Sequence, residues 1–457
     1  MKTILLTTIS LLFINILCHA QCWQNIETGD THSFGLATDG SLWAWGENSK
    51  GYLGDGTTTS ANLPVKIGLD EDWANLSTGR KHTLAVKNNG SLWSWGSNFD
   101  GQLGIGNNDQ KNSPVEVDNN SNWRSVSAGG QISFAIKTDG SLWAWGSNFN
   151  GYLGDGTTID RNTPIQIGSD TDWKLVATGD NHTAALKEDG TLWTWGWNFD
   201  GQIGDGTNDK KGIPGQVGSE DNWQYISAGD RHTLGIKTDG TLWAWGDNFQ
   251  GKLGVGSNDD LNTPTQVGTD TWELIATGSD HSLGIKTDKT LWSWGSNFRS
   301  QLGDGTSSSS NVPVQIGDSN NWKEINTDED HSIALNDEGE IWTWGDNEVG
   351  QLGDGTTENK NIPIEIVCTV SNTINTYLSL IGNLYPNPAE DLINIDVSQL
   401  HKKDLYFEIY NHSGQTATPL QGINHSGRID VSSLEQGIYV LRLSLGNENT
   451  AKVFIKM

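Results

Sequence analysis

The chain has 457 residues, with 56 acidic against 28 basic side chains and a formal net charge of −28. A surface of that charge repels phosphate backbones and anionic bilayers, which argues against nucleic acid or an anionic membrane as a partner. The chain also carries 56 glycines and only 10 prolines. Since no helical periodicity of useful length appears after Ala20, the composition favours an all-β protein with glycine-rich turns.

The start of the chain, from Met1 to Ala20, fits an export signal. Lys2 precedes an apolar run from Ile4 to Leu17, and Cys18-His19-Ala20 follows. A short basic segment, an apolar core and a small residue before the cut are typical of a secretory signal peptide. The run is shorter than the roughly 20 residues that a membrane-spanning helix needs. We expect cleavage after Ala20, and a retained N-terminal anchor is the alternative.

A tryptophan-rich stretch then recurs seven times. Its core is Trp-x-Trp-Gly, and a further Trp opens each unit, as Trp23 does before the core at Trp43. The cores begin at Trp43, Trp93, Trp143, Trp193, Trp243, Trp292 and Trp342. Successive cores are evenly spaced, except that the interval between Trp243 and Trp292 is one residue shorter than the others. A fixed period of roughly 50 residues is typical of a propeller or another repeat array.

One unit, residues 172–218, shows the predicted structure. Alternation predicts three strands, from Trp173 to Thr178, from His182 to Lys187 and from Thr191 to Gly196. Asp189-Gly190 predicts a hairpin turn, because this pair tolerates positive φ. A long loop from Trp197 to Gly212 leads to a short fourth strand or edge segment that starts at Pro214. Four strands in each of seven units predict a seven-bladed β-propeller. An open solenoid, which would need polar capping repeats, is the alternative.

Histidines occupy one position in six of the units. They are His32, His82, His182, His232, His281 and His331. Zinc needs ligands that converge on one ion, and equivalent positions on successive blades do not converge. We therefore expect hydrogen bonds that fix the turn rather than metal binding or catalysis, and blade packing for the Trp-x-Trp pairs. We expect no catalytic residue, cofactor or metal.

A phenylalanine begins the long loop in five consecutive units. The series is Phe99, Phe149, Phe199, Phe249 and Phe298, with Trp197 beside it. Ser49 and Glu348 replace Phe in the two outer units. If the rings face solvent, they form an aromatic arc of the kind that marks binding surfaces. Packing of each ring against the neighbouring blade is the alternative. Arg80 and Arg231, in the turns before the histidines, complete the candidate partner-binding residues.

These motifs together resemble a known repeat. Gly-x-x-His-Ser/Thr, then Asp-Gly-x-Leu-Trp-x-Trp-Gly-x-Asn, then Gly-x-Leu-Gly-x-Gly is similar to the regulator of chromosome condensation (RCC1-type) repeat over about residues 22–368. The resemblance implies a seven-bladed propeller. It implies no single activity, since the family includes a nuclear exchange factor, a plant ultraviolet receptor and a secreted β-lactamase inhibitor. Departures from the repeat are Ile132 for His, Asp328 for Gly, Lys289 for the hairpin Gly and Ser300 for Gly.

The tail follows a different pattern. After a polar linker, residues 369–383, short alternating apolar segments without Trp predict a small β-sandwich. Pro386-Asn387-Pro388, Asp430-Val431-Ser432, Gly437-Ile438-Tyr439 and the Lys-rich end resemble the C-terminal sorting domain of the type IX secretion system over residues 384–457. The resemblance implies a Bacteroidota-type bacterium, export across the outer membrane and removal of the domain at the surface. A carbohydrate-binding sandwich is the alternative.

The sequence therefore predicts a signal peptide (1–20), a propeller (21–368), a linker (369–383) and a sorting domain (384–457). We expect a secreted or cell-surface binding protein, not an enzyme, that acts as a monomer on an extracellular protein or glycan. An inhibitor of a secreted or periplasmic enzyme is the alternative. Cys22 and Cys368 flank the repeats, and we expect a disulfide between them, because closing a ring brings its ends together in a compartment that permits the bond.

Overall fold

The computed structural model describes residues 23–366, 389–394, 405–411, 416–422, 428–445 and 448–457. The predicted signal peptide, the Cys22–Cys368 disulfide and the 369–383 linker lie outside these residues and stay predictions. The chain divides into two compact units, residues 1–368 and 369–457. Within the described part of the chain, no helix is long and apolar enough to cross a bilayer.

Each of the seven repeats forms four antiparallel strands, hydrogen-bonded in chain order. The first strands are Trp23–Thr28, Trp73–Thr78, Trp123–Ala128, Trp173–Thr178, Trp223–Ala228, Leu261–Thr277 and Trp322–Thr327. The second strands are His32–Ala37, His82–Lys87, Ile132–Lys137, His182–Lys187, His232–Lys237, His281–Lys286 and His331–Asn336.

The third strands carry the Trp-x-Trp-Gly cores. They are Leu42–Gly46, Leu92–Gly96, Leu142–Gly146, Leu192–Gly196, Thr241–Gly246, Leu291–Gly295 and Ile341–Gly345. The fourth strands are Ala61–Lys66, Lys111–Glu116, Arg161–Gln166, Lys211–Gln216, Leu261–Thr277, Ser310–Gln315 and Lys360–Glu365. Leu261–Thr277 serves as both the fourth strand of unit five and the first of unit six, so these two units share one seven-stranded sheet. One 3-10 turn, Phe249–Gly251, interrupts a loop.

The predicted strands of unit four, residues 172–218, are largely right. The first two occupy the predicted ranges, and the third begins one residue late, at Leu192. The predicted start of the fourth strand at Pro214 is wrong, because the strand begins at Lys211. This strand lies at the edge of its sheet, where a proline's missing N–H breaks no ladder bond. Pro214 can therefore sit inside the strand rather than mark its start.

The tryptophans pack as predicted. In unit four, Trp173 meets Trp193 and Trp195 edge-on, with ring centroids 6.1 and 6.2 Å apart. Trp195 is fully buried, and its Nε1 donates a hydrogen bond to the carbonyl of Tyr152 in the preceding unit, at 2.9 Å. The second tryptophan of each core thus bonds its sheet to the preceding unit, whereas Trp193, the first of its core, donates to a hydroxyl of its own unit.

Five of the six repeat histidines, all but His32, bond a hydroxyl of the next unit rather than fixing their own turns, which corrects the sequence-based expectation. His182 Nε2 bonds Thr233 Oγ1 of the next unit at 2.8 Å, and that hydroxyl donates to the carbonyl of Gln202 at 2.9 Å. Burial lowers the pKa of His182 to about 3, so the ring is neutral at physiological pH. The buried Oγ1 of Thr183, whose preceding unit carries Ile132 in place of the histidine, has no hydrogen-bond partner, and neither has that of Thr83, although His32 is present in the preceding unit.

The same bonds join the last repeat to the first. His331 Nε2 bonds Ser33 Oγ at 2.9 Å, and Trp45 Nε1 donates to the carbonyl of Gln351 at 2.9 Å. The backbone N–H of Trp23 donates to the carbonyl of Gly339 at 3.0 Å. The repeats therefore form a closed ring, and the open-solenoid alternative is wrong.

The C-terminal unit contains two described sheets. Leu392–Asn394 pairs with Arg428–Asp430. A second sheet of four strands contains, in spatial order, Thr416–Gly422, Leu405–Asn411, Gly437–Leu445 and Glu448–Lys456. The buried side chains include Ile393, Phe407, Ile409, Ile429 and Leu441. The alternating apolar pattern thus forms strands with apolar residues on a buried side, and the predicted sandwich stays a prediction.

Candidate functional site

The turn before each histidine and the long loop after each core lie at the same edge of the sheets. In an antiparallel sheet, the end of the first strand and the end of the third strand point the same way. A hydrogen bond shows this in unit four, where the backbone N–H of Trp197 donates to the carbonyl of Asn181 at 2.8 Å. We call this surface of the propeller the loop face, and the surface at the Asp-Gly hairpin turns the hairpin face.

The phenylalanine series lies exposed on the loop face. Relative exposure is 71% for Phe99, 76% for Phe149, 64% for Phe199, 51% for Phe249 and 66% for Phe298. The alternative that each ring packs against the neighbouring blade is therefore wrong. Trp197 is half-buried, and its ring centroid lies 4.4 Å from that of Phe199. We call these six side chains the aromatic arc.

The loops that carry the arc are fixed by a buried asparagine. Asn198 is fully buried, and its amide donates to the carbonyls of Thr207 and Asp209 at 2.9 and 3.1 Å. Its Oδ1 accepts the backbone N–H of Ile203 at 2.9 Å. Because the asparagine directly precedes the phenylalanine in the sequence, Phe199 projects from a rigid support.

Four aspartates from different repeats surround Arg80, where the central channel opens on the loop face. Arg80 Nε lies 2.7 Å from Asp180 Oδ2 and 3.4 Å from Asp30 Oδ1, and Arg80 Nη2 lies 3.1 Å from Asp230 Oδ2. Burial by itself lowers the pKa of Arg80, but these three aspartates together with Asp328 raise this pKa above the usual range. We call these five residues the mouth cluster. Arg80 is already ion-paired and is not a free charge, whereas Arg231 is exposed.

The carboxylates of this region outnumber their cation. Burial raises the pKa of Asp30 to about 7 against the opposing charge of Arg80, and Glu329 and Asp230 raise it further. Burial, together with the other carboxylates of the cluster, also raises the pKa of Asp180 and Asp328 well above the usual range. Burial followed by Glu329 raises the pKa of Asp330 to about 6. One guanidinium therefore does not neutralise this mouth.

A depression next to Arg80 links the mouth cluster to the aromatic arc. It has a volume of about 320 Å³, and Arg80, Phe149, Tyr152 and Asp180 are among its lining residues. Unit three opens it by carrying Gly130 where the other units carry a side chain. A Cβ at Gly130 would lie 2.9 Å from Asp180 Oδ1, so any side chain there would push Asp180 away from Arg80. The missing side chain thus permits the ion pair.

Below the mouth, the first strands of the units line the central channel. This channel has a volume of about 340 Å³. Asn326 Nδ2 donates to Glu27 Oε2 at 2.9 Å, and Asn25 Nδ2 donates to Glu324 Oε1 at 2.5 Å. Burial raises the pKa of Glu324 to about 7 and that of Glu27 well above its usual range. Among the residues that the structure describes, no three His, Cys, Asp or Glu side chains are placed to hold a metal ion.

The sequence singled out the phenylalanine series and Arg80, but not the four aspartates of the mouth cluster. Asp30, Asp180 and Asp230 occupy equivalent turn positions of the first, fourth and fifth repeats, and only the ring brings them to one arginine. One signal was available, because Asp328 is a departure from the repeat glycine. A charged residue in place of a turn glycine points to a role that the scaffold does not require.

The chain matches several family models. A model described as the RCC1-like domain matches residues 170–381, and two models of the regulator of chromosome condensation (RCC1) repeat match within residues 39–186 and 23–151. A model of a secretion system C-terminal sorting domain matches residues 383–457. No curated protein sequence matches the chain significantly.

Solved propellers share the fold. Yeast RCC1 (Prp20), crystallised bound to Kap60, is 22% identical with a TM-score of 0.66, and the match covers 72% of this chain and 84% of that one. Prp20p from Saccharomyces cerevisiae in another structure gives 22% identity, a TM-score of 0.67 and coverage of 74% and 88%. Human WBSCR16 gives 21% identity, a TM-score of 0.65 and coverage of 71% and 93%. At these identities the likeness concerns the fold.

Proposed function

Because this chain belongs to the regulator of chromosome condensation (RCC1) repeat family and ends in a secretion-system sorting domain, we propose that it is an exported, non-enzymatic propeller that binds an extracellular partner through its loop face. The sorting domain implies export by the type IX system of a Bacteroidota-type bacterium. The tail would be the part of the chain that contacts the export machinery.

The observation that carries the proposal is the aromatic arc. Single exposed apolar residues are normal on a soluble protein, but exposed aromatic rings repeated on one face can act together as anchors for a partner that spans several units. Here five phenylalanines, each more than half exposed, share one face of a ring. Burying one such ring contributes roughly 1.5–3 kcal/mol, and aromatic anchors of this kind dominate the energy of many interfaces.

The mouth cluster bears on the inhibitor alternative. An inhibitor of an enzyme with a basic cleft would carry a protruding acidic patch. Here the side chains of Asp30, Asp180 and Asp230 are only 10%, 13% and 20% exposed, so the acidic group is recessed. A recessed acidic site surrounded by exposed aromatic rings supports a binding role better than an inhibitory one.

A matched pair of variants of the full chain tests the proposal. The test variant replaces Phe149, Phe199 and Phe249 with Ala. The control variant replaces Leu69, Ile213 and Ile362 with Ala. These residues are 91%, 59% and 54% exposed and lie within or just after fourth strands rather than in the turns before the histidines or at the phenylalanine positions. Partner capture from the native cell surface or medium, quantified by mass spectrometry, should persist with the wild type and the control and disappear with the test variant. Unchanged capture by the test variant would refute the loop face as the binding site.

A further inference from the structure

The mouth cluster holds more carboxyl groups than cations. Three aspartates lie within 3.4 Å of the guanidinium of Arg80, Asp328 adds a fourth carboxyl that acts on it through space, and Glu329 and Asp330 stand beside them. Buried charges require opposite charges or donors to offset the loss of water. A second cation at this position would offset the carboxylate charge that Arg80 alone does not offset.

One carboxylate in the cluster lacks a donor. Asp30 is 8% exposed, and its Oδ1 accepts no hydrogen bond in the structure. Its nearest cation atom is Arg80 Nε at 3.4 Å. Leaving a buried acceptor without a donor is costly, so this oxygen is positioned to accept a hydrogen bond from a group that enters the mouth.

Aromatic and acidic residues divide the loop face between them. The phenylalanines occupy units two to six, and Ser49 and Glu348 stand at the equivalent positions of units one and seven. Units one and seven instead supply acidic residues: Asp30, Asp328, Glu329 and Asp330 in the turns, and Glu47, Asp346 and Glu348 at the start of the long loops. Arg299 of unit six pairs with Asp346 and Glu348. A partner seated on the arc therefore meets negative charge at the centre of the ring and along the gap in the arc.

We propose that the partner is a protein that presses an apolar surface on the aromatic arc and inserts a lysine or arginine side chain into the mouth cluster beside Arg80. Charge complementarity carries this choice. A neutral glycan could contact the rings but would bring no charge to the aspartates, and an acidic partner would be repelled. This inference rests on the proposed function, because it uses the same face.

The test is a selection of short, disulfide-closed displayed loops on the immobilised full chain. Loops selected by the wild type should carry a central lysine or arginine flanked by apolar residues. The Asp30→Asn/Asp328→Asn variant should bind such a loop at least about tenfold more weakly, while binding a derivative with norleucine in place of its lysine as well as the wild type does. The control variant Asp259→Asn/Asp318→Asn, at two exposed aspartates, should bind both loops like the wild type.

The outcomes separate the two proposals. Selection of loops without a basic residue, or binding of neutral glycans on an array with no effect of Asp30→Asn/Asp328→Asn, would overturn the cationic partner but leave the loop face intact. If the wild type selects no more loops than the variant with Phe149, Phe199 and Phe249 replaced by Ala, both the cationic partner and the loop face as a binding site are overturned. If the double Asn variant does not fold, the single variant Asp230→Asn replaces it, and equal binding of the lysine loop by this variant and the wild type would contradict the proposal.

Discussion

Aromatic rings are covered by a lysine at the hairpin face and exposed to solvent at the loop face. On the hairpin face, Lys187 Nζ lies 5.0 and 4.8 Å from the ring centroids of Trp173 and Trp193, and Asp170 holds the same ammonium at 2.7 Å. On the loop face, Phe199 stands 64% exposed with no such cover. In unit four the structural rings are thus shielded by a cation and its acid, whereas Phe199 of the aromatic arc is left free to contact a partner.

The largest test of this comparison replaces one ring from each class. Trp195→Ala should lower the free energy of unfolding by roughly 3–5 kcal/mol, because it removes a fully buried ring and its bond to Tyr152. Phe199→Ala should change it by no more than about 0.5 kcal/mol. Urea unfolding of both variants measures the difference. Equal losses would mean that the exposed rings also support the scaffold.

The interfaces between units allow a closer comparison. Thr233→Val removes a hydroxyl that bonds His182 and the carbonyl of Gln202, and should cost about 1–3 kcal/mol. Thr183→Val, at the equivalent position one unit earlier, removes a hydroxyl without a partner and should be nearly neutral or stabilising. Chemical unfolding of the two variants side by side provides the check. A similar cost for both would show that the histidine bond does not stabilise the interface.

The two faces should also differ in their pH dependence. The pKa of Asp30 is raised to about 7 in the folded state, so the folded protein holds this proton more tightly than the unfolded chain. The stability that this proton contributes is fully present below pH 4 and is lost as pH rises through 7. Asp30→Asn should remove up to about 1.4 kcal/mol per pH unit of this slope between pH 4 and 7. At the hairpin face, the hydroxyl of Thr191 lowers the pKa of Asp189, so its contribution is present above pH 4 and is lost as pH falls below it.

Thermal unfolding of Asp30→Asn and Asp189→Asn across pH 3–8 measures both trends. The first variant should gain on the wild type as pH rises towards 7. The second should fall behind the wild type above pH 4 and converge with it in acid. Parallel curves for the two variants would contradict the assignment of opposite pKa shifts to the two faces.

The smallest expected effect concerns Lys187, the lysine that covers the rings of Trp173 and Trp193. Lys187→Ala should cost about 0.5–1 kcal/mol, because it removes one ammonium from the two rings and leaves the ring packing in place. It should also raise the hydroxyl-radical labelling of Trp193, measured by mass spectrometry of its peptide against the wild type. Unchanged labelling would show that the lysine does not shield the ring.

Several features of the fold were predictable because they are local. The strands Trp173–Thr178 and His182–Lys187 follow from alternation within each short segment. The hairpin turn at Gly190 follows from the need for positive φ, and its φ is 81°. The histidine bonds were assigned to the wrong partner, because the hydroxyl that His182 meets belongs to Thr233 in the next unit. A pattern within one repeat does not show which atoms of the next repeat it will contact.

The sequence by itself determined the seven repeats, their strands and the position of each phenylalanine after a loop asparagine. Only the tertiary structure decided that Phe199 projects into solvent and that Arg80 of the second repeat meets Asp180 and Asp230 of the fourth and fifth. The physical reason is the range of the forces involved. Strand alternation and turn chemistry act between near neighbours in the chain, whereas exposure and ion pairing at the mouth depend on how the closed ring sets the repeats side by side.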